Sequence, residues 1–218
     1  MDIYEALYTT RAMRRLRPDP IPLDAQARIL DAAIRAPSGG NSQALRFILV
    51  DDPALTSQLG PIYRELVDEL FAGPYGERIR QAQANPDDSK GQATLRMERA
   101  VRHQATHWET IPLFLFAYAR GDHSGSSIFP AVWSAQLAAR AEGIGSTLTT
   151  VLGSRPEVDV LLGMPAGQGW KQAACLPMGY PTGRFGVPPR RPVAEVAGRN
   201  GWQGELGFAG DAVLWTTP

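Results

Sequence analysis

Apolar residues recur at helical spacing in two early stretches. Ile3, Ala6 and Leu7 share a face after Asp2, and Ala27, Leu30, Ala33 and Ile34 share one after Asp24, so each aspartate is expected to cap a helix. The second helix must end near Pro37, because a proline drives the residue before it out of the helical region. Phe47–Val50 then reads as a buried strand. From Pro53 to about Trp108 the pattern is mostly helical, with Ile62, Leu66 and Leu70 on one face and breaks near Gly73-Pro74 and from Asn85 to Gly91. PLFLFAYA, 112 to 119, is a second buried strand, and Ile128–Glu142 is a helix rich in small residues. Ser146–Leu152 is expected as a third strand, Pro156 to about Gly163 as a short helix and Lys171–Tyr180 as a fourth strand. The tail from Pro181 is dense in proline and glycine and should wrap a surface rather than build a core. Strands separated by helices at this spacing predict a sheet covered by helices on both faces.

Composition narrows the function classes. A chain of 218 residues, 44 % hydrophobic and 20 % charged, fits one soluble globular domain. Twenty-two Lys plus Arg balance twenty-two Asp plus Glu, so no global field draws the chain to nucleic acid or an anionic membrane, and any anion site is local. The longest apolar run, Leu113–Ala119, is too short to span a bilayer and no secretory pattern opens the chain, which is read as cytoplasmic. The lone Cys175 rules out an internal disulfide and reads as core filling.

Some segments offer chemistry alongside a plain structural reading. Arg11, Arg14, Arg15 and Arg17 crowd the end of the first helix, either as a solvated cap on its dipole or as an anion site, with Arg190 and Arg191 as a second cluster far along the chain. APSGGNSQ, 36 to 43, is either a helix stop or a turn built to let backbone approach a flat ligand. GIGSTLTT, 143 to 150, lacks a third glycine at Leu148 and follows a helix, so a dinucleotide fingerprint fails. His103 and His107 have metal-ligand spacing without HExxH, which favours a polar helix face. Trp133 reads as core or subunit packing, or as a wall against a flat cofactor. No GxSxG nucleophile turn or phosphate loop occurs.

Taken in order, TTRAMRR (9 to 15), APSGGNSQ, PLFLFAYA, FPAVWSAQLAARAEGIGSTLTT (129 to 150), MGYPTGRFG and PPRRPVAEV (178 to 196) resemble the FMN-dependent nitroreductase family, most of all its actinobacterial-type members. The resemblance implies an α+β fold, a three-layer sandwich with a mainly antiparallel central sheet flanked by helices. It also implies an intertwined homodimer with FMN at the subunit interface. Residues 1–218 would form one domain with a partner-embracing tail at about 181–218; the broken helical stretch of about 61–108, which the resemblance does not cover, reads as a lid whose Tyr63, Phe71, Tyr75 and Trp108 would roof the ring. By the same resemblance Arg11, Ala12 and Arg14 hold the phosphate and flavin edge, with Arg14 near N1 and O2. Pro37, Ser38, Gly39 and Asn41 line the ring and ribityl chain, Leu148, Thr149 and Thr150 face the flavin through their backbone, and Arg190 is a phosphate ligand from the tail. No side chain is then needed as a nucleophile and no metal is called for, since the flavin carries a hydride from NADH or NADPH to a nitroaromatic, quinone or similar acceptor.

Thr10, Ala12 and Ala44-Leu45 depart from the family pattern of a further arginine, a serine and Pro-Trp, which leaves a deazaflavin as an alternative cofactor. Other implied readings are a biosynthetic dehydrogenase, a dehalogenase-like or flavin-consuming enzyme with poor NAD(P)H use, or a binding module that has lost the cofactor.

Overall fold

The computed structural model describes residues 1–213 and 215. Four antiparallel strands form its sheet in the order β1-β2-β4-β3, with β1 Leu45–Val50, β2 Leu113–Arg120, β3 Gly145–Ser146 and β4 Trp170–Gly179. β2 is central and buried on both faces from Leu113 to Ala119, as its unbroken apolar run requires. Its two sets of side chains divide the core. Leu113, Leu115 and Ala117 face α2 (Leu23–Ala33) and α6 (Ile128–Ala141), whereas Phe114, Phe116 and Tyr118 face α3 (Pro53–Ala72) and α5 (Ser89–Thr106). The result is the expected three-layer α+β sandwich.

Local chemistry sets the helix ends. Asp2 caps α1 (Ile3–Thr9), accepting from the Glu5 N–H at 2.8 Å, and Asp52 and Asp88 cap α3 and α5 in the same way. The cap expected at Asp24 is displaced. Pro22 takes the cap position and Asp24 sits inside the first turn, where its carboxylate pairs with Arg28 at 2.9 Å. The breaks at Gly73-Pro74 and after Asn85 separate α3, α4 (Gly76–Ala84) and α5 as expected.

The third strand is much shorter than expected. Only Gly145–Ser146 pairs as a strand; Thr149 then makes an isolated bridge to Cys175, and Val151–Ser154 turns into a 3-10 segment before α7 (Pro156–Leu161). Gly153 explains the bend, because a β-carbon there would lie 2.9 Å from the Gln172 carbonyl, so the chain folds against β4 rather than running beside it.

The roof assigned to the aromatic residues of 61–108 is corrected as well. Tyr63, Phe71 and Trp108 are buried in the core; Trp108 stacks on Tyr63 at 4.0 Å and lies 4.5 Å from Phe114 of the sheet. Helix periodicity shows which residues share a face but not which way that face points, and here it points at the sheet. The tail from Pro181 carries only a 3-10 turn at Val193–Glu195 among its described residues and lies as extended loops.

Cys175 is fully enclosed and burial pushes its thiol well up. A thiol reagent at pH 8 is expected to leave the native protein unlabelled and to modify one cysteine per chain in denaturant; rapid native labelling would mean that β4 opens readily.

Candidate active site

The arginine segment is stitched to the end of the sheet. Met13 donates its N–H to the Ser146 carbonyl at 2.9 Å, Thr147 Oγ1 donates to the Met13 carbonyl at 3.0 Å, and the Arg17 N–H donates to the Tyr180 carbonyl at 2.8 Å. Gly145 permits this approach, because a β-carbon there would meet the Met13 side chain at 2.8 Å. Ala12 and Met13, between Arg11 and Arg14, therefore lie against Ser146 and Thr147, from which the chain runs on to Leu148, Thr149 and Thr150.

The side chains divide by alternation. Met13 enters the core, while Arg14 turns into a niche whose wall is Tyr63. Its guanidinium is largely desolvated, which lowers its pKa, and its Nε is buried with no hydrogen-bond partner. Among the described residues no carboxylate pairs with it. The Tyr63 hydroxyl lies 3.4 Å from Gln104 Oε1 and beside Thr149, and burial first of all pushes its pKa up to about 12, so it stays neutral. The Gln104 Nε2 donor, on the amide that meets Tyr63, also lacks a partner among the described residues. A niche of unused donors around an unpaired cation is built for an anionic or acceptor-rich ligand.

The backbone assignments divide too. The Thr149 N–H is already given to the Cys175 carbonyl at 2.9 Å, so it is not available to a ligand. The Thr150 N–H donates to no described residue, and Thr150 and Leu148 are exposed. Arg11 is exposed and donates to the Arg184 carbonyl at 3.2 Å. Arg190 is also exposed and, among the described residues, bonds only to the carbonyl of its neighbour Pro189, at 3.0 Å, with no bond to the arginine segment.

The loop of Pro37, Ser38, Gly39 and Asn41 lies elsewhere. Gly40 and Asn41 take φ of 58° and 52°, and Gln43 49°, which explains the glycine and amide residues of the turn. Ser38 Oγ accepts from the Gln43 N–H at 3.1 Å and Ser127 Oγ from the Gly39 N–H at 3.2 Å, which pins the loop to the start of α6. The arginine segment sits toward the other end of that helix, where Gln136 donates to Ser146 Oγ at 3.1 Å and Arg140 to Thr9 Oγ1 at 2.8 Å. At 1.5 Å per residue, Ser127 lies about 14 Å from Gln136 and about 20 Å from Arg140 along the axis. One chain does not close both halves around one ring.

Sequence reasoning placed Tyr63 over the ring rather than beside Arg14, and missed Gln104 as a site neighbour and Ser127 as the loop's anchor. A lone glutamine on a helix carries no local signal, and neither does a single serine at the start of one. His103 is bonded to Arg15, with Nδ1 3.3 Å from Nη1, and no group of three or more His, Cys, Asp or Glu side chains gathers among the described residues. Nor is any described helix long and apolar enough to cross a membrane. Trp133 is 40 % exposed on α6, one turn from the equally exposed Phe129, so it is not core.

Comparison with known proteins agrees with this architecture. Residues 7–180 match the sequence profile of the Nitroreductase family. The chain is 30 % identical over 217 residues to the 5,6-dimethylbenzimidazole synthase of Rhodospirillum rubrum, covering 93 % of this chain and 90 % of that protein. It is 24 % identical over 204 residues to rat iodotyrosine deiodinase 1, covering 86 % of this chain but 65 % of the longer relative. An iodotyrosine deiodinase bound to FMN and 3-iodo-L-tyrosine superposes with a TM-score of 0.69 at 24 % identity, over 87 % of this chain and 95 % of the other. An FMN-dependent nitroreductase of Mycobacterium smegmatis in complex with NADPH does so with 0.64 at 18 % identity, over 89 % and 96 %.

Proposed function

The chain belongs to the nitroreductase family, and from that premise we propose that it is a flavin-dependent oxidoreductase that binds FMN between two copies of itself and is reduced by NADH or NADPH. The observation that carries this reading is Arg14, a desolvated cation with an orphaned Nε and no counter-ion in the described chain. That arrangement suits the pyrimidine edge of a flavin, where negative charge accumulates on reduction. When bound, the flavin supplies two-electron transfer from the reduced nicotinamide to a nitroaromatic, quinone or similar acceptor.

In this reading Arg14 and the Thr150 N–H orient that ring, Arg11 and the tail's Arg190, both exposed and bonded only to carbonyls among the described residues, meet a phosphate, and Ala12 and Leu148 allow close approach. Tyr63 lines the niche without a competing charge, whereas a carboxylate there would neutralise Arg14 from within. Pro37, Ser38, Gly39 and Asn41 come from the partner subunit, because within one chain they lie toward the opposite end of α6 from the arginines. Exposed apolar residues fit such a dimer. Phe129 and Trp133 are exposed on α6, Ile3, Tyr4 and Leu7 on α1, and the tail presents Trp202 at 95 % exposure. Residues 1–218 act as one domain, in which 61–108 borders the substrate space and the tail from 181 clasps the partner. The reading also places the enzyme in the cytoplasm, where its reductant is made.

A second reading keeps the flavin and changes the chemistry. Similarity to a synthase and to deiodinases supports it. The deciding experiment is an anaerobic visible spectrum with added FMN, before and after NADH or NADPH. Bound flavin that bleaches is the expected result, flavin that binds and stays oxidised favours the second reading, and no binding defeats both.

A further inference from the structure

The proposed flavin site leaves one group of cations without a task. Arg96, Arg99 and His103 follow one another at spacings of three and four on α5 and therefore share a face, with His107 at the C-cap just beyond. Arg15 reaches the end of that face, its Nη1 3.3 Å from His103 Nδ1, and the His103 and His107 rings lie 4.0 Å apart. Nearby acids are engaged elsewhere. Glu98 and Asp68 both hold Arg102, at 3.0 and 2.8 Å, and Glu109 holds Arg64 at 2.8 Å. Among the described residues Arg15, Arg96 and Arg99 have no carboxylate partner, and Arg96 reaches only Gln92 Oε1, at 3.5 Å.

Like charges at these spacings weaken a helix by a few tenths of a kcal/mol per pair, so the array does not serve α5 itself. Burial, His107 and Arg15 together lower the His103 pKa, which shows a site already crowded with positive charge. The position of the array is informative. Gln104, the next residue, turns inward to Tyr63 and the Arg14 niche, so the cationic face starts at the rim of that niche. From His103 to Arg96 it runs about 10 Å along the helix, at 1.5 Å per residue.

We propose that Arg96, Arg99 and His103 of α5, closed by Arg15, form a subsite for an anionic group, phosphate or carboxylate, on the molecule that approaches the flavin. The inference rests on the flavin reading and deepens it: at least one reaction partner is acidic, and arginine forks supply paired donors to its oxygens. The group is either the diphosphate of a dinucleotide reductant or an acid on the acceptor.

The test begins with FMN-loaded protein, titrated with inorganic pyrophosphate at low salt while the His103 imidazole is followed by NMR. Pyrophosphate is expected to raise the His103 pKa, and Arg99→Gln to weaken binding about tenfold, as one lost charge-assisted hydrogen bond implies. Steady-state rates then separate the sources. A higher KM for NADH or NADPH in Arg15→Gln and Arg99→Gln places the reductant's diphosphate here. A higher KM for 4-nitrobenzoate with that for nitrobenzene unchanged places an acidic acceptor here. An unmoved His103 titration, or wild-type affinity and KM values in both variants, overturns the proposal. Failure of the flavin reading shows separately, as absent flavin absorbance; Arg99-dependent pyrophosphate binding to the flavin-free protein then still supports the anion subsite.

Discussion

Arg14→Met is expected to weaken FMN binding about 10- to 100-fold, the effect of removing a charge-assisted hydrogen bond to the ring, and to leave the flavin-free protein as stable as before or more so. Both halves follow from one fact: the guanidinium is desolvated without a carboxylate among the described residues. Because burial depresses its pKa, holding the proton costs the folded state at every pH below that pKa, and a neutral side chain of similar reach removes the cost. With flavin present, the same substitution strips the ring of its cation. Arg14→Lys should fall between, keeping charge but losing the planar fork and its Nε–H. Flavin-fluorescence titration and thermal melts without flavin read the two halves. A dissociation constant within threefold of the parent would remove Arg14 from the site, and a large loss of stability would make it structural.

The second large effect falls on folding. Trp108→Ala should destabilise the chain by about 3 to 5 kcal/mol, the usual range for an enclosed indole, and lower its melting temperature by about 10 °C. Trp108 is wholly buried between Tyr63 and Phe114, so alanine leaves a void at the joint of α3 and the sheet. Trp108→Phe should cost far less, since it keeps a ring and deletes the unpartnered indole N–H. Neither change should raise the KM for an acceptor. If Trp108→Phe instead changes acceptor KM at unchanged stability, the residue roofs the substrate after all.

Much of the fold was legible because apolar periodicity is a local signal. β2 and α6 announced themselves within a residue or two, one by an unbroken apolar run and the other by small residues at helical spacing. The third strand misled because Thr147–Val151 has strand composition, whereas its path is set by Gly153 against Gln172 on another strand, a contact between distant parts of the chain. The lid aromatics misled for a related reason. Tyr63 and Trp108 are separated by 45 positions yet stack face to face, and nothing in either neighbourhood reports the partner. Of the candidate site, the arginine segment and the glycine turn stood out in the sequence through residue type. What stayed hidden was their separation along α6 and the prior claim of Cys175 on the Thr149 N–H.

The placement of the loop and the arginines toward opposite ends of α6 carries a genetic consequence. In the proposed homodimer each site would take one end from each chain, so two alleles damaged at different ends would share one sound site when they are expressed together. Two alleles damaged at the same end share none. Inheritance of a defect in this protein would then depend on where along a single helix the lesion falls.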